Sequence, residues 1–152
     1  MADRHLIDVH VLLTRDDRLL LTRRGGNNEF AGRWHMPSGK LDAGESITMA
    51  AAREAFEEVG VTINPTDFRV VHITHVAGSG PEPRLGVFLH AARWLGEPTN
   101  REPEKCLALD WFPVDQLHTV DVIEYPAVGI QAFLAGDSVS FSEHGWPVPA
   151  TV

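Results

Sequence analysis

The stretch GKLDAGESITMAAAREAFEEVGV, residues 39–61, decides the fold and carries the chemistry. Ser46 is placed to cap a helix start and Gly60 to stop it, which predicts a helix of about 13 residues. At about 100° per residue, Met49, Ala52, Phe56 and Val59 share one arc. Glu54, Glu57 and Glu58 share the opposite arc at spacings i, i+3 and i+4, so their side chains are neighbours. Arg53 lies on the flank beside Glu57. The expectation is an apolar arc packed on a sheet, with carboxylates converging on one small volume. Like charges at this spacing repel unless something neutralises them. One reading is a solvated acidic face. The other is a hard, all-oxygen site for Mg²⁺ or Mn²⁺, completed by water and substrate phosphates.

Working outward, IDVHVLLT (7–14) and RLLLTRR (18–24) flank the polar turn Arg15-Asp16-Asp17 and read as a β-hairpin. GGNNEFAGRWHMPSG (25–39) reads as a loop from its Gly, Asn and Pro content. DFRVVHITHVA (67–77) and RLGVFLHAARWL (84–95) read as two longer strands joined by the turn GSGPEP. CLALDWFPV (106–114) is a further short strand, and PAVGIQAFLAG (126–136) a second helix with Pro126 in its first turn. SVSFSEHGWPVPATV (138–152) adds a strand and then a loose tail from about residue 143. The sum is an α+β fold in one domain, residues 1–152: a mixed β-sheet flanked by helices, an α/β/α sandwich.

The full spacing favours the metal reading. Gly39, five residues, Glu45, seven residues, then Arg53-Glu54-Ala55-Phe56-Glu57-Glu58-Val59-Gly60-Val61 resembles the Nudix box. Every charged and glycine position of that pattern is present, and Ala55 alone departs, standing in a bulky apolar slot. The resemblance implies a Nudix sandwich that hydrolyses a nucleoside diphosphate linked to a moiety X. It implies Glu54, Glu57 and Glu58 as metal ligands, with the Ser38 carbonyl as a further one. Arg53 is expected to orient a glutamate, and Glu45 to pair with it or cap the loop. The chemistry expected is the neutralisation of phosphate charge and the activation of a water by bound Mg²⁺ or Mn²⁺.

The reaction also needs a carboxylate as base or extra ligand. GEPTNREPEKC (96–106) holds Glu97, Glu102 and Glu104 and resembles the corresponding loop of MutT-type nucleotide pyrophosphatases. By that register Glu102 is the first candidate and Glu104 the second; the other reading is a solvated loop acid. Arg24 and Lys40 are expected to contact substrate phosphates by the same register, with Arg23 beside them, or else to solubilise a strand end. Phe30, Trp34 and Tyr125 are aromatics that stack on a base or belong to the core. His72 and His75 stand three apart in a strand, point to opposite faces and do not share a metal. His10, His35 and His90 lack partners at ligand spacing. Cys106 reads as a small buried residue.

Charge and composition set outer bounds. Thirteen Lys and Arg against 21 Asp and Glu give a net charge of −8, and no basic stripe suits a nucleic acid. No stretch approaches the roughly 20 apolar residues of a membrane span. The N-terminus MADRHLIDVH lacks a secretory pattern, and a single cysteine excludes an internal disulfide, so a cytoplasmic setting is expected. A (deoxy)nucleoside triphosphate is the expected substrate. A nucleotide sugar, a dinucleotide, dihydroneopterin triphosphate or a non-catalytic sensing module are the alternatives. A homodimer is compatible with the fold family.

Overall fold

The computed structural model describes residues 1–78, 82–136 and 138–148. Strands β1 (Leu6–Arg15) and β2 (Arg18–Arg24) form the expected hairpin. Asp16 and Asp17 both take positive φ, 53° and 57°, the backbone of a turn whose twist suits tightly paired strands. The hairpin stays paired only beside this turn, at Thr14–Leu19 and Arg15–Arg18. Further along, β1 pairs antiparallel with β4 (Ser38–Lys40), while β2 pairs with β3 (Trp34–His35) and β7 (Cys106–Pro113). The segment read as loop 25–39 therefore contains two short strands. Two- and three-residue strands separated by Met36-Pro37 are too short to leave an alternation signal.

On its other edge β1 runs parallel to β6 (Arg84–Ala91), which pairs antiparallel with β5 (Arg69–Val76). Strand β8 (Ser140–His144) lies parallel beside β5. The GSGPEP turn falls partly outside the described residues. The tail is more ordered than expected: Glu143 and His144 belong to β8, and the Trp146 indole donates to the His75 carbonyl at 2.9 Å. Trp146 also stacks on His5 and meets His75 at a tilt, and the two imidazoles share a 2.9 Å hydrogen bond.

Helix α1 (Ile47–Val59) has the predicted caps. The Ser46 hydroxyl accepts from the Met49 amide at 3.2 Å, and Gly60 closes the helix in the left-handed region. Its packing face differs from the expected arc. Met49 and Phe56 are 57% and 49% exposed, whereas Ala50, Ala51, Ala55 and Val59 are buried. Small side chains let the helix sit close to the sheet, and the larger pair is turned outward, with the Arg101 guanidinium 5.5 Å from the Phe56 ring. Ala55 in a bulky slot is thus part of a close-packed face.

Alternation along β1 distributes its side chains to two layers. Val9, Val11 and Leu13 pack with the α1 face; Leu12 packs with Phe88 and with Ile130 of α2 (Glu124–Ala135) on the opposite side. The result is the predicted α/β/α sandwich. Asp8 and His10 share the side of Leu12 but are polar.

Candidate active site

Arg53 organises the acidic helix. Its guanidinium donates to Glu45 at 2.7 and 2.9 Å, to Glu54 at 2.8 Å, to Glu57 at 3.3 Å and to the Lys40 carbonyl at 3.1 Å. Glu45 also accepts from the Asp42 amide at 3.1 Å, so it both pairs with Arg53 and caps the loop. The hydrogen bonds that the Arg53 guanidinium donates to Glu45 and Glu54 push it upward from its usual range. Arg53 touches helix and loop together, the arrangement of a positioning group.

Glu54 and Glu58 face inward while Glu57 is half-exposed, so the three glutamates that share one arc of the helix differ in burial. The Glu54 side chain is 13% exposed and that of Glu57 51%. Strand β4 packs tightly against this face: a Cβ at Gly39 would overlap the Glu54 carboxylate. Glu58 is the most buried of the three and accepts from the Ser38 amide at 2.8 Å. Burial, with Glu54 and Glu102 nearby, pushes its carboxyl up to about 8, while the Ser38 N–H opposes the shift. Burial also raises Glu54, against the pull of Arg53. Glu102 is held in its loop by its backbone N–H, which donates to Asn100 Oδ1 at 3.0 Å, and by Lys105 Nζ, which donates to its carboxylate at 3.4 Å.

Two cavities meet at Arg24, His35 and Ser38. The first, about 350 Å³, is lined by Glu58, Glu102, Glu104, Lys105 and Cys106. The second, about 550 Å³, takes in Lys40, Phe30 and Tyr125 together with Asp8, His10 and Arg84. Arg24 thus lines both cavities, whereas Arg23 donates to the Gly32 carbonyl at 2.8 Å and lines neither. Trp34 packs edge-on against Phe112 at 4.8 Å in the core, leaving Phe30 and Tyr125 as the aromatics of the cavity. His72 bonds Ser140 and Ser142, apart from the His5–His75 pair. Cys106 is half-buried, and burial raises its thiol. A wider cleft of about 950 Å³ lies at the turn end of β1, beside Arg15 and Trp94, away from these acids.

The donor chemistry suits a hard divalent cation. Inward-facing carboxylates repel one another, and burial with these neighbours pushes the Glu58 carboxyl up to about 8. As the side chains stand, no three acidic, histidine or cysteine groups among the described residues are gathered to hold a metal ion. Glu54 and Glu57 are turned toward Arg53 instead. Sequence reading passed over Asp8 and Arg84 and weighed His10 and His35 only as metal ligands. Asp8 and His10 did leave a signal: two polar residues at i and i+2 occupy the side of β1 that Leu12 buries.

A mixed sheet between two helices, with a carboxylate-bearing helix beside a cation-lined cavity, defines a class of hydrolases that cleave phosphoric anhydrides. The NUDIX domain model matches residues 4–128, and the chain belongs to this family. It is 30% identical over 128 residues to an 8-oxo-dGTP diphosphatase of Haemophilus influenzae, covering 82% of this chain and 86% of that protein. It is 35% identical over 109 residues to the NAD-capped RNA hydrolase NudC of Stutzerimonas stutzeri, covering 70% of this chain and only 36% of that longer protein. The crystal structure of a MutT NUDIX hydrolase from Burkholderia pseudomallei superimposes with a TM-score of 0.73 at 25% identity, covering 86% of this chain and 98% of that one. Among the described residues no helix is long and apolar enough to cross a membrane.

Proposed function

We propose that this Nudix hydrolase converts a (deoxy)nucleoside triphosphate and water into a nucleoside monophosphate and pyrophosphate. The observation that carries this reading is the junction of the two cavities: an acidic one at Glu58 and Glu102, and a cation-lined one at Arg24 and Lys40. A chain of phosphates laid across Arg24 and Ser38 would place an anhydride beside the acids and the remainder of the nucleotide beside Phe30 and Tyr125. Similarity to a diphosphatase over most of both chains supports the same substrate class.

Glu54, Glu57, Glu58 and the Ser38 carbonyl are the groups that would hold Mg²⁺ or Mn²⁺. Bound there, the ion would offset the charge that shields the anhydride and acidify a water. Arg53 holds Glu45, Glu54 and the β4 carbonyl in one arrangement, so the acids keep their spacing. Arg24 and Lys40 supply positive charge to the phosphate oxygens. Glu102 takes the proton as the water oxygen bonds to one phosphorus of the α,β anhydride, and the bond from that phosphorus to the bridging oxygen breaks, so that the bridging oxygen leaves with the other product.

The reading is tested by screening nucleoside triphosphates, nucleotide sugars and dinucleotides for pyrophosphate or phosphate release, with and without Mg²⁺. Pyrophosphate release from triphosphates in the presence of Mg²⁺ is expected. Release only from sugar or dinucleotide substrates, or tight binding with no turnover, would overturn it.

A further inference from the structure

Two histidines from distant parts of the chain face each other beside the edge strand β8. His5 Nδ1 and His75 Nε2 lie 2.9 Å apart. On the far side of the same ring, His5 Nε2 stands 3.2 Å from Asp3 Oδ2. An ionised carboxylate only accepts, so His5 Nε2 carries the N–H, and in the neutral ring Nδ1 keeps its lone pair toward His75. The Trp146 indole stacks on His5 with centroids 5.9 Å apart and tilts against His75 at 4.4 Å. Its N–H is tied to the His75 carbonyl at 2.9 Å, which holds the indole in place. The His5 side chain is 27% exposed, so the pair is open to an ion from solvent.

The spacing and the partners are those of a nitrogen-rich metal site. Two ring nitrogens bound to one tetrahedral ion at about 2.0–2.1 Å each stand about 3.3 Å apart. The His5–His75 pair is already close to that span. A histidine ligand characteristically donates its other N–H to a carboxylate, which fixes the tautomer and the ring orientation. Asp3 holds that place behind His5. Glu143 of β8 is the registered partner of His75 in β5. Paired residues of neighbouring strands project from the same face of a sheet, so Glu143 stands on the His75 side. Imidazole ligands suit zinc, nickel and copper, whereas magnesium and manganese prefer oxygen. The pair therefore selects a different kind of ion from the carboxylates of α1, and neither histidine lines the two cavities there.

We propose that His5 Nδ1 and His75 Nε2 bind a late first-row divalent cation such as Zn²⁺. Glu143 and water complete the shell, and Asp3 is a positioning residue that acts through His5. His75 receives the ion by carrying its proton on Nδ1, so the two neutral rings release no proton. The ion ties the segment before β1, strand β5 and the edge strand β8 at one point. This inference is independent of the hydrolase reading.

The test titrates the untagged full-length chain with Zn²⁺ by calorimetry in excess Mg²⁺, comparing wild type with His5→Ala, His75→Ala and Asp3→Asn. A binding event is expected that each histidine variant weakens by more than tenfold and Asp3→Asn by about tenfold. Any event common to all four proteins belongs to the carboxylates. Zn²⁺ binding of wild-type strength in either histidine variant would overturn the assignment. The second measurement needs no histidine variant and stands even if one fails to fold. Ni²⁺ should quench a saturable part of the indole fluorescence that Trp146→Phe removes. Quenching of the same amplitude in Trp146→Phe, or none in the wild type, would place the ion elsewhere and sink the proposal.

Discussion

Gly39 and Glu54 are in direct apposition, with strand β4 so close to helix α1 that a Cβ on residue 39 would occupy the space of the carboxylate. Gly39→Ala therefore displaces the flexible end of Glu54 more than it disturbs the fold. The expected result is a melting temperature close to that of the wild type and a fall in kcat of about a hundredfold, the scale of an ångström-level misplacement. An unchanged kcat would remove Glu54 from the chemistry.

Arg53→Lys keeps the charge and loses the fork that spans Glu45, Glu54 and the Lys40 carbonyl. A point charge cannot make these contacts together. Turnover should fall roughly 10- to 100-fold, as for groups that orient metal-binding side chains. Isothermal titration with Mn²⁺ should show weaker binding, which distinguishes lost orientation from lost substrate contact.

Glu58→Gln should abolish most turnover, because an amide cannot supply an ionised oxygen ligand. The same variant isolates a pH effect. Folded Glu58 is held up to about 8, above the ordinary carboxylate value, so the folded chain keeps a proton that the unfolded chain has released. Without divalent ions this contribution favours the folded state at low pH and is lost as pH rises from about 4.5 to 8. In urea unfolding with EDTA, Glu58→Gln should gain stability relative to wild type at pH 8.5 compared with pH 5.5. Identical pH dependence in both proteins would contradict the buried, protonated state.

Glu102→Gln should lower kcat by about 10² or more if the side chain takes the proton from water. An unchanged kcat would return Glu102 to the role of a loop acid.

His10 and His35 are held neutral by burial, their folded values pulled down to about 3 and about 4. Below the unfolded value near 6.5, the unfolded chain takes up protons that the folded chain refuses, so stability falls as pH drops from about 6.5 toward 3. His10→Phe keeps a ring against Phe88 and removes one of these groups. Its urea midpoint should exceed that of the wild type at pH 5 by more than at pH 7.5.

The hairpin, both helices and the sandwich were legible because each rests on local signals: Ser46 and Gly60 as caps, alternation in β1, Pro126 in a first turn. Strands β3 and β4 were not, since their pairing depends on β1 and β2 parting beyond the turn. The packing face of α1 was misread because a helical projection ranks Met49 and Phe56 above alanine, while close approach to a sheet selects small side chains. The box acids were visible as a pattern. The second cavity was hidden because Asp8, His10, Arg84 and Tyr125 come from three separate elements and meet only in the fold.

Strand β1 separates two tasks by the parity of its residues. Odd positions anchor the layer that bears the acidic helix, while Asp8 and His10, at even positions, turn toward the other layer. Exchanging residues on that second side would reshape the cavity that Asp8, His10, Arg84 and Tyr125 line while leaving the acidic helix seated on its own layer.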